Sequence, residues 1–360
     1  DDYTVNNSTN TEIPLTNSVI GGADDPDLVD GKFMPVVEGW YHFDAMVTSE
    51  AGSKMTRVSV LKDGELIVRD YSYTPRGNES VLSCMSDDGN IVSMHEANRV
   101  ERGPAILKRV SETTWVNIIG NIGNSYMCLI SGDGTRCLAV NSSNQFKIYD
   151  YENDIWVLKL THVYANGKLR DCWDLKLSKD GNFIALGTNG SVEVYKIENN
   201  SGVFSMSRVG NDIVGVNSDD RTGTIIDISR NGQIVAVSEY GYNNGNGSVR
   251  IFEYLSYTDE WFLLGKRIKG EDQFGCGLAL SSDGTIVAIG STTYFEVYKF
   301  SVGGEWQLMG NRLYKGLLAP FRGTTFGPKS SNRLFMSGDG LTLGLANQDI
   351  VYKFYSNNWV

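Results

Sequence analysis

One short pattern occurs six times in this chain, and it constrains the fold more than any other feature. The copies are CMSDDGNIVSM (84–94), LISGDGTRCLAV (129–140), KLSKDGNFIALG (176–187), DISRNGQIVAVS (227–238), LSSDGTIVAIG (280–290) and FMSGDGLTLGLA (335–346). Each is an apolar-alternating run, a Ser-x-Asp-Gly or Ser-Arg-Asn-Gly turn, and a second run that is almost wholly apolar. Asp-Gly and Asn-Gly tolerate positive φ, so they predict hairpins. The second run predicts a strand buried on both faces. The turn glycines Gly89, Gly134, Gly181, Gly232, Gly284 and Gly340 are spaced by 45, 47, 51, 52 and 56 residues. After each hairpin comes a third strand-like run, such as SVEVYKI (191–197), SVRIFEY (248–254) or YFEVYKF (294–300). A polar turn follows, and then Trp115, Trp156, Trp261, Trp306 or Trp359, with Phe204 in that place once. Four strands in a period of this length predict a propeller blade, with the tryptophan as a wedge between blades. No blade buries its own faces, which is why the pattern recurs.

The first 80 residues lack the turn but carry four strand-like runs: FMPVV (33–37), WYHFDAMV (40–47), TRVSVLK (56–62) and ELIVRDYSY (65–73), the last two joined by Asp63-Gly64. They read as a divergent seventh blade over residues 31–73. The chain ends at NNWV, where other blades begin their outer strand, and SVIGGADD (18–25) resembles RIKGEDQF (267–274) at the end of one. Residues 11–20 are therefore expected to supply the last strand of the final blade and close the ring. The expectation is an all-β fold: a single domain, 1–360, forming a seven-bladed propeller of four-stranded antiparallel blades, with six clear repeats over 80–360.

The stretch ISRNGQIVAVSEYGYNNGNGSVRIFEY, continued by EWFLLGKRIKGEDQFGCGLALSSDGTIVAIG, resembles the Trp-Asp-like and FG-GAP-like propeller repeats. Such repeats occur in secreted or surface proteins of protists and in large viruses that infect them. The resemblance spans residues 80–360 and implies architecture, not an activity. The Asp-x-Asp-x-Asp-Gly calcium loop of integrin-type copies is absent, as is the Ser-x-Asp-x-Gly-x-x-Trp box of sialidases, so neither chemistry carries over.

Direct signs of catalysis are few. The aspartate of each turn is expected to hydrogen-bond its own backbone. His42, His95 and His162 fall in different blades without metal-ligand spacing. No Gly-x-Ser-x-Gly, GxGxxG or Walker pattern occurs, and the Gly-rich GYNNGNGS (241–248) lies between strands, as a loop. The acidic run ADDPDLVDG (23–31) fits no EF-hand spacing. The five cysteines include no CxxC and read as small buried hydrophobes, although Cys128 and Cys137 flank a turn symmetrically and can face each other. A net charge of −11 argues against nucleic acid or an anionic membrane as main partner, and no apolar run reaches the roughly 18 residues of a membrane helix. Seven Asn-x-Ser/Thr sequons, at Asn6, Asn7, Asn78, Asn141, Asn189, Asn199 and Asn246, lean toward a secreted, surface or virion protein.

Propellers bind at the end that carries the connections between blades and between second and third strands. Here those loops hold Arg99, Arg102, Arg221, Tyr240, Tyr242, Lys315 and Arg322, an Arg–Tyr composition suited to an interface. The expected function is a non-catalytic binding or structural module, without cofactor, that presents these loops to a protein or glycan partner. The alternatives are a propeller hydrolase or lactonase with a metal at the central channel, and an intracellular interaction scaffold.

Overall fold

The computed structural model describes residues 28–29, 32–33, 40–48, 54–62 and 65–74, and residues 80–360 apart from 97–103, 112–113, 121, 123–124, 142, 165–171, 189, 315–333 and 346–349. The chain divides into two compact units: residues 1–80 with 109–116, and residues 81–108 with 117–360.

Six four-stranded antiparallel sheets follow one another from residue 80 to the C-terminus, and they are the blades of a six-bladed propeller. Blade I spans 80–117, blade II 125–163, blade III 174–208, blade IV 226–263, blade V 277–308 and blade VI 334–359. In each, strands pair in chain order. Two short extra strands, Ile213–Val214 and Ile268–Lys269, pair with the third strands of blades III and IV.

The turns explain this regularity. In blade V the Ser281 hydroxyl donates to Asp283 Oδ1 at 2.7 Å, and Ser281 Oγ accepts the Ile286 N–H at 2.9 Å. Asp283 Oδ1 also accepts the Thr285 N–H. Ser86/Asp88, Ser131/Asp133, Ser178/Asp180, Ser229/Asn231 and Ser337/Asp339 repeat the hydroxyl-to-side-chain bond at 2.5–2.8 Å. The turn carboxylates are thus structural, as the sequence predicted. Gly284 takes φ +75°, and a Cβ there would lie 2.6 Å from Ile234 Cδ1 of the preceding blade, so both backbone and packing demand glycine.

Each buried apolar cluster joins two successive blades. Leu138, Phe146 and Ile148 of blade II meet Leu175, Ile184 and Leu186 of blade III. Val192 and Val194 meet Ile226 and Val235 across III and IV. Ile251 meets Leu278 and Val287 across IV and V, and Val297 meets Leu343 across V and VI. The tryptophans fasten these contacts. The indole N–H groups of Trp261, Trp306 and Trp359 donate to the carbonyls of Val209, Leu264 and Met309 in the preceding blade at 2.8–3.0 Å. Each of those carbonyls precedes a positive-φ glycine, Gly210, Gly265 or Gly310, against which the ring packs.

The expected seventh blade is not formed. WYHFDAMV, TRVSVLK and ELIVRDYSY make a three-stranded meander, Trp40–Thr48, Lys54–Lys62 and Glu65–Thr74, in which Lys62 pairs with Glu65. Of FMPVV only Phe33 is described, in a separate two-stranded ladder where Lys32–Phe33 pairs with Leu28–Val29. Nor does blade VI lack an outer strand, because Asn358–Trp359 provides it. The proposed closing strand at 11–20 lies outside the described residues. Cys128, Cys137 and Cys172 are buried, and Cys84 and Cys276 partly so. Cys128 pairs with Ala139 and Cys137 with Ile130, so the two cysteines lie diagonally on one face rather than directly opposite.

Candidate functional site

Blade IV carries the most elaborate loops among the described residues. The loop 217–223 enters the blade, 239–247 joins its second and third strands, and 270–275 leaves it. They are tied by main-chain bonds: Gly241 N–H to Asp220 O, Gln273 N–H to Gly245 O, and Phe274 N–H to Asn246 O, at 2.8–3.1 Å. Five non-glycine residues here hold positive φ: Arg221, Asn243, Asn244, Asp272 and Gln273. Such backbone is costly and persists only where its surroundings dictate it.

Three of the predicted residues meet at this place. The Arg221 guanidinium lies 5.9 Å from the centre of the Tyr240 ring. Tyr242, half-exposed, carries the Arg267 guanidinium over its ring at 4.2 Å and the Lys269 ammonium at 5.9 Å. Hydrogen bonding from Arg267 and the charge of Lys269 hold the Tyr242 phenol below its ordinary value. Arg99, Arg102, Lys315 and Arg322 lie outside the described residues.

Beneath these rings sits a charged cluster that sequence reasoning missed. Glu239 is fully buried at the end of the second strand. It accepts from Arg250 Nε at 2.8 Å, from the Ser248 hydroxyl at 2.9 Å and from the Thr222 hydroxyl at 3.2 Å, and forms an ion pair with Arg267, whose Nε lies 3.2 Å away. A carboxylate with two cations and two hydroxyls has its lone pairs satisfied, which makes its burial tolerable. A signal did exist. Gly-Lys-Arg-Ile at 265–268 recurs as Gly-Asn-Arg-Leu at 310–313. In blade V Arg312 bonds Glu296 at 2.7 Å and lies 4.0 Å over the Tyr294 ring. The arginine position repeats but its partners do not: Glu239 ends the second strand of blade IV, whereas Glu296 lies on the third strand of blade V, at the place Arg250 takes in blade IV. Tyr294, just before that third strand, is buried and its hydroxyl accepts the Glu271 N–H, whereas Tyr242 lies in the 239–247 loop and reaches solvent.

A second polar group lies along the inner edge. The residue between Ser and Asp in each turn, Asp87, Gly132, Lys179, Arg230, Ser282 or Gly338, links turn to turn. Asp87 N–H donates to Gly132 O, Gly132 N–H to Lys179 O, Arg230 N–H to Ser282 O and Ser282 N–H to Gly338 O, while Asp180 N–H donates to Arg230 O. The Asp87 carboxylate of blade I pairs with Arg230 of blade IV and lies 3.5 Å from Lys179 of blade III. Deeper in, Asp174 takes N–H groups from Leu175 and from Ile226 of the next blade, and Asp227 likewise from Ile228 and Leu280. Lys176 lies 3.8 Å from Asp174. Burial pushes the Asp227 carboxyl up despite that lysine's charge. Among the described residues, no three His, Cys, Asp or Glu side chains converge as a metal-ligand set.

No helix of the described residues is long and apolar enough to cross a membrane. No family model and no curated protein matches the chain. Solved structures do resemble it. A functionally unknown protein from Desulfotomaculum acetoxidans aligns over 84% of this chain and 90% of its own, with 16% identity and a TM-score of 0.55. A "putative 6-phosphogluconolactonase" from Bacteroides uniformis aligns over 89% and 94%, with 14% identity and a TM-score of 0.54. Hydrazine synthase from Kuenenia stuttgartiensis aligns over 87% and 95%, with 14% identity and a TM-score of 0.51. At such identities the likeness is one of fold.

Proposed function

We propose that this propeller is a non-catalytic binding or structural module, and that the loop end of blade IV is the surface it offers to a partner. The observation that carries this reading is the convergence of Arg221, Tyr240 and Tyr242 on strained, mutually bonded loops, with Arg267 and Lys269 beside them. Aromatic rings and arginines held at low entropic cost are the usual anchors of an interface. The resemblance of the repeats to secreted, surface and viral proteins favours an extracellular or virion assembly.

A hydrolase or lactonase reading would draw on the fold of the Bacteroides uniformis protein and on Asp174, Lys176 and Asp227. Each of those carboxylates, however, already caps main-chain N–H groups on its own and the next strand. That use explains them without a reaction.

The reading is tested by the mass of the native particle after mild extraction from its source, by light scattering. A mass well above the 39.7 kDa of one chain is expected. A free monomer that shows no partner would contradict it.

A further inference from the structure

The joints III/IV, IV/V and V/VI share one fastening, and the joint I/II lacks it. At those three an indole N–H reaches the carbonyl of Val209, Leu264 or Met309, and the glycine that follows at once leaves room for the ring. Blade II carries the equivalent tryptophan, Trp156, buried against blade I, but its indole N–H finds no hydrogen-bond partner among the described residues. The cause is a slip of one residue. Ile118 holds the place of Leu264 and Met309, because its N–H donates to Ile106 O of the third strand as theirs do to Ile251 O and Val297 O. The next residue, however, is Ile119, and the positive-φ glycine, Gly120, comes one later, with no tryptophan atom beside it. A buried donor left unpaired weakens the joint.

The inner strands repeat the contrast. At III/IV and IV/V the N–H groups of Ile226 and Leu280 are taken by the carboxylates of Asp174 and Asp227. At I/II the N–H of Ile130 goes to the Cys84 sulfur, a weak acceptor. The II/III joint has Phe204 in the tryptophan's place, but Arg136 of blade II donates to Gly181 O of blade III, and Tyr164 to the buried Glu193. Among the described residues, the side-chain links of I/II are otherwise the Ser93 hydroxyl on Cys128 O and the exposed Lys108–Asp154 pair.

Blade I has instead a tie that skips its neighbour. Asp87 pairs with Arg230 of blade IV and stands 3.5 Å from Lys179 of blade III, whose ammonium donates to Met85 O at 2.8 Å. The carboxylates of the adjoining turns, Asp88, Asp133 and Asp180, are occupied by their own serines and main-chain N–H groups. Asp227, deeper in, is taken by the N–H groups of Ile228 and Leu280. Asp87 is thus the acceptor these two cations share. The three side chains are 40–47% exposed, so salt screens them.

We propose that blade I is a latch: the I/II joint is where the propeller opens, and the Asp87–Arg230–Lys179 cluster holds it shut. The latch owes nothing to the choice of partner.

The joint carries its own reporters. Cys128 and Cys137 are wholly buried on the blade I side of blade II, with Ile91 and Ile106. Cys172 is buried in the cluster between blades II and III. The full chain, kept reduced, is treated with iodoacetamide in native buffer, and alkylation of each cysteine is followed by peptide mass. Cys128 and Cys137 are expected to react at least about threefold faster in about 1 M than in about 0.05 M potassium chloride, with Cys172 unchanged. Asp87→Asn should give that acceleration at low salt and remove most of the salt effect. Adding Arg230→Gln to it should change nothing further, since both act through one contact. Lys266→Gln, which breaks the exposed Lys266–Glu305 pair, should leave both rates as they were. No reaction at either salt, rates indifferent to salt or to Asp87→Asn, or acceleration of Cys172 in step with the other two would overturn the latch. If a variant does not fold, the salt series on the unaltered chain decides by itself.

Discussion

At the residue scale the turn serine carries much of the local order. Ser281 donates to Asp283 and accepts from Ile286. Ser281→Ala leaves that buried N–H unpaired, a loss of about 1–3 kcal/mol, measurable by urea denaturation. The same geometry fixes a pH dependence. Against the cost of burial, the serine hydroxyls and main-chain N–H groups hold Asp88, Asp133 and Asp283 below the ordinary carboxylate value. A depressed carboxylate stabilises the fold above its unfolded value, about 3.9, and that contribution disappears as pH falls through the folded value. Ser131→Ala should therefore cost more at pH 6 than at pH 2–3, and an equal penalty at both would contradict the turn chemistry. The sequence told the role of these aspartates because serine, aspartate and glycine stand at fixed offsets within one hairpin. It did not reveal Asp87, Lys179 and Arg230. Those positions vary from copy to copy, and their meaning arises only when blades distant in sequence meet at the inner edge.

At the element scale each blade is held by its neighbour. Trp306 places its N–H on Leu264 O and its ring on Gly265. Trp306→Phe is expected to cost about 1–3 kcal/mol by orphaning that carbonyl, read as a lowered melting temperature. Glu239→Ala is expected to cost more, about 3–5 kcal/mol, because Arg250 and Arg267 would share a buried site with no counter-charge. Glu239→Gln should recover part of that loss through retained hydrogen bonds. The wedge tryptophans were legible from their phase in the repeat. The Glu239 cluster was not, since Arg250 lies on the third strand and Arg267 just before the extra strand Ile268–Lys269, while the carboxylate ends the second.

At the scale of the whole molecule, six Ser-x-Asp/Asn-Gly turns mean six blades. The count of turns was the reliable signal, whereas alternation in the first 80 residues predicted strands without saying which sheet they join. Alternation fixes a strand's two faces, but the number of strands in a sheet depends on partners it does not encode. The loop residues were partly legible. Composition picked out Arg221, Tyr240 and Tyr242, and the fold places them on the loops of blade IV, but the cations over the Tyr242 ring, Arg267 and Lys269, lie on a strand-like segment rather than in a loop. The central claim is that this end of blade IV is where the molecule meets its partner. The most direct measurement places a photo-reactive residue at position 242, and a second at Val203 on the outer strand of blade III, in the native particle. Cross-linking to a partner from position 242 and not from position 203 is the predicted result; cross-linking from position 203 alone would contradict the account.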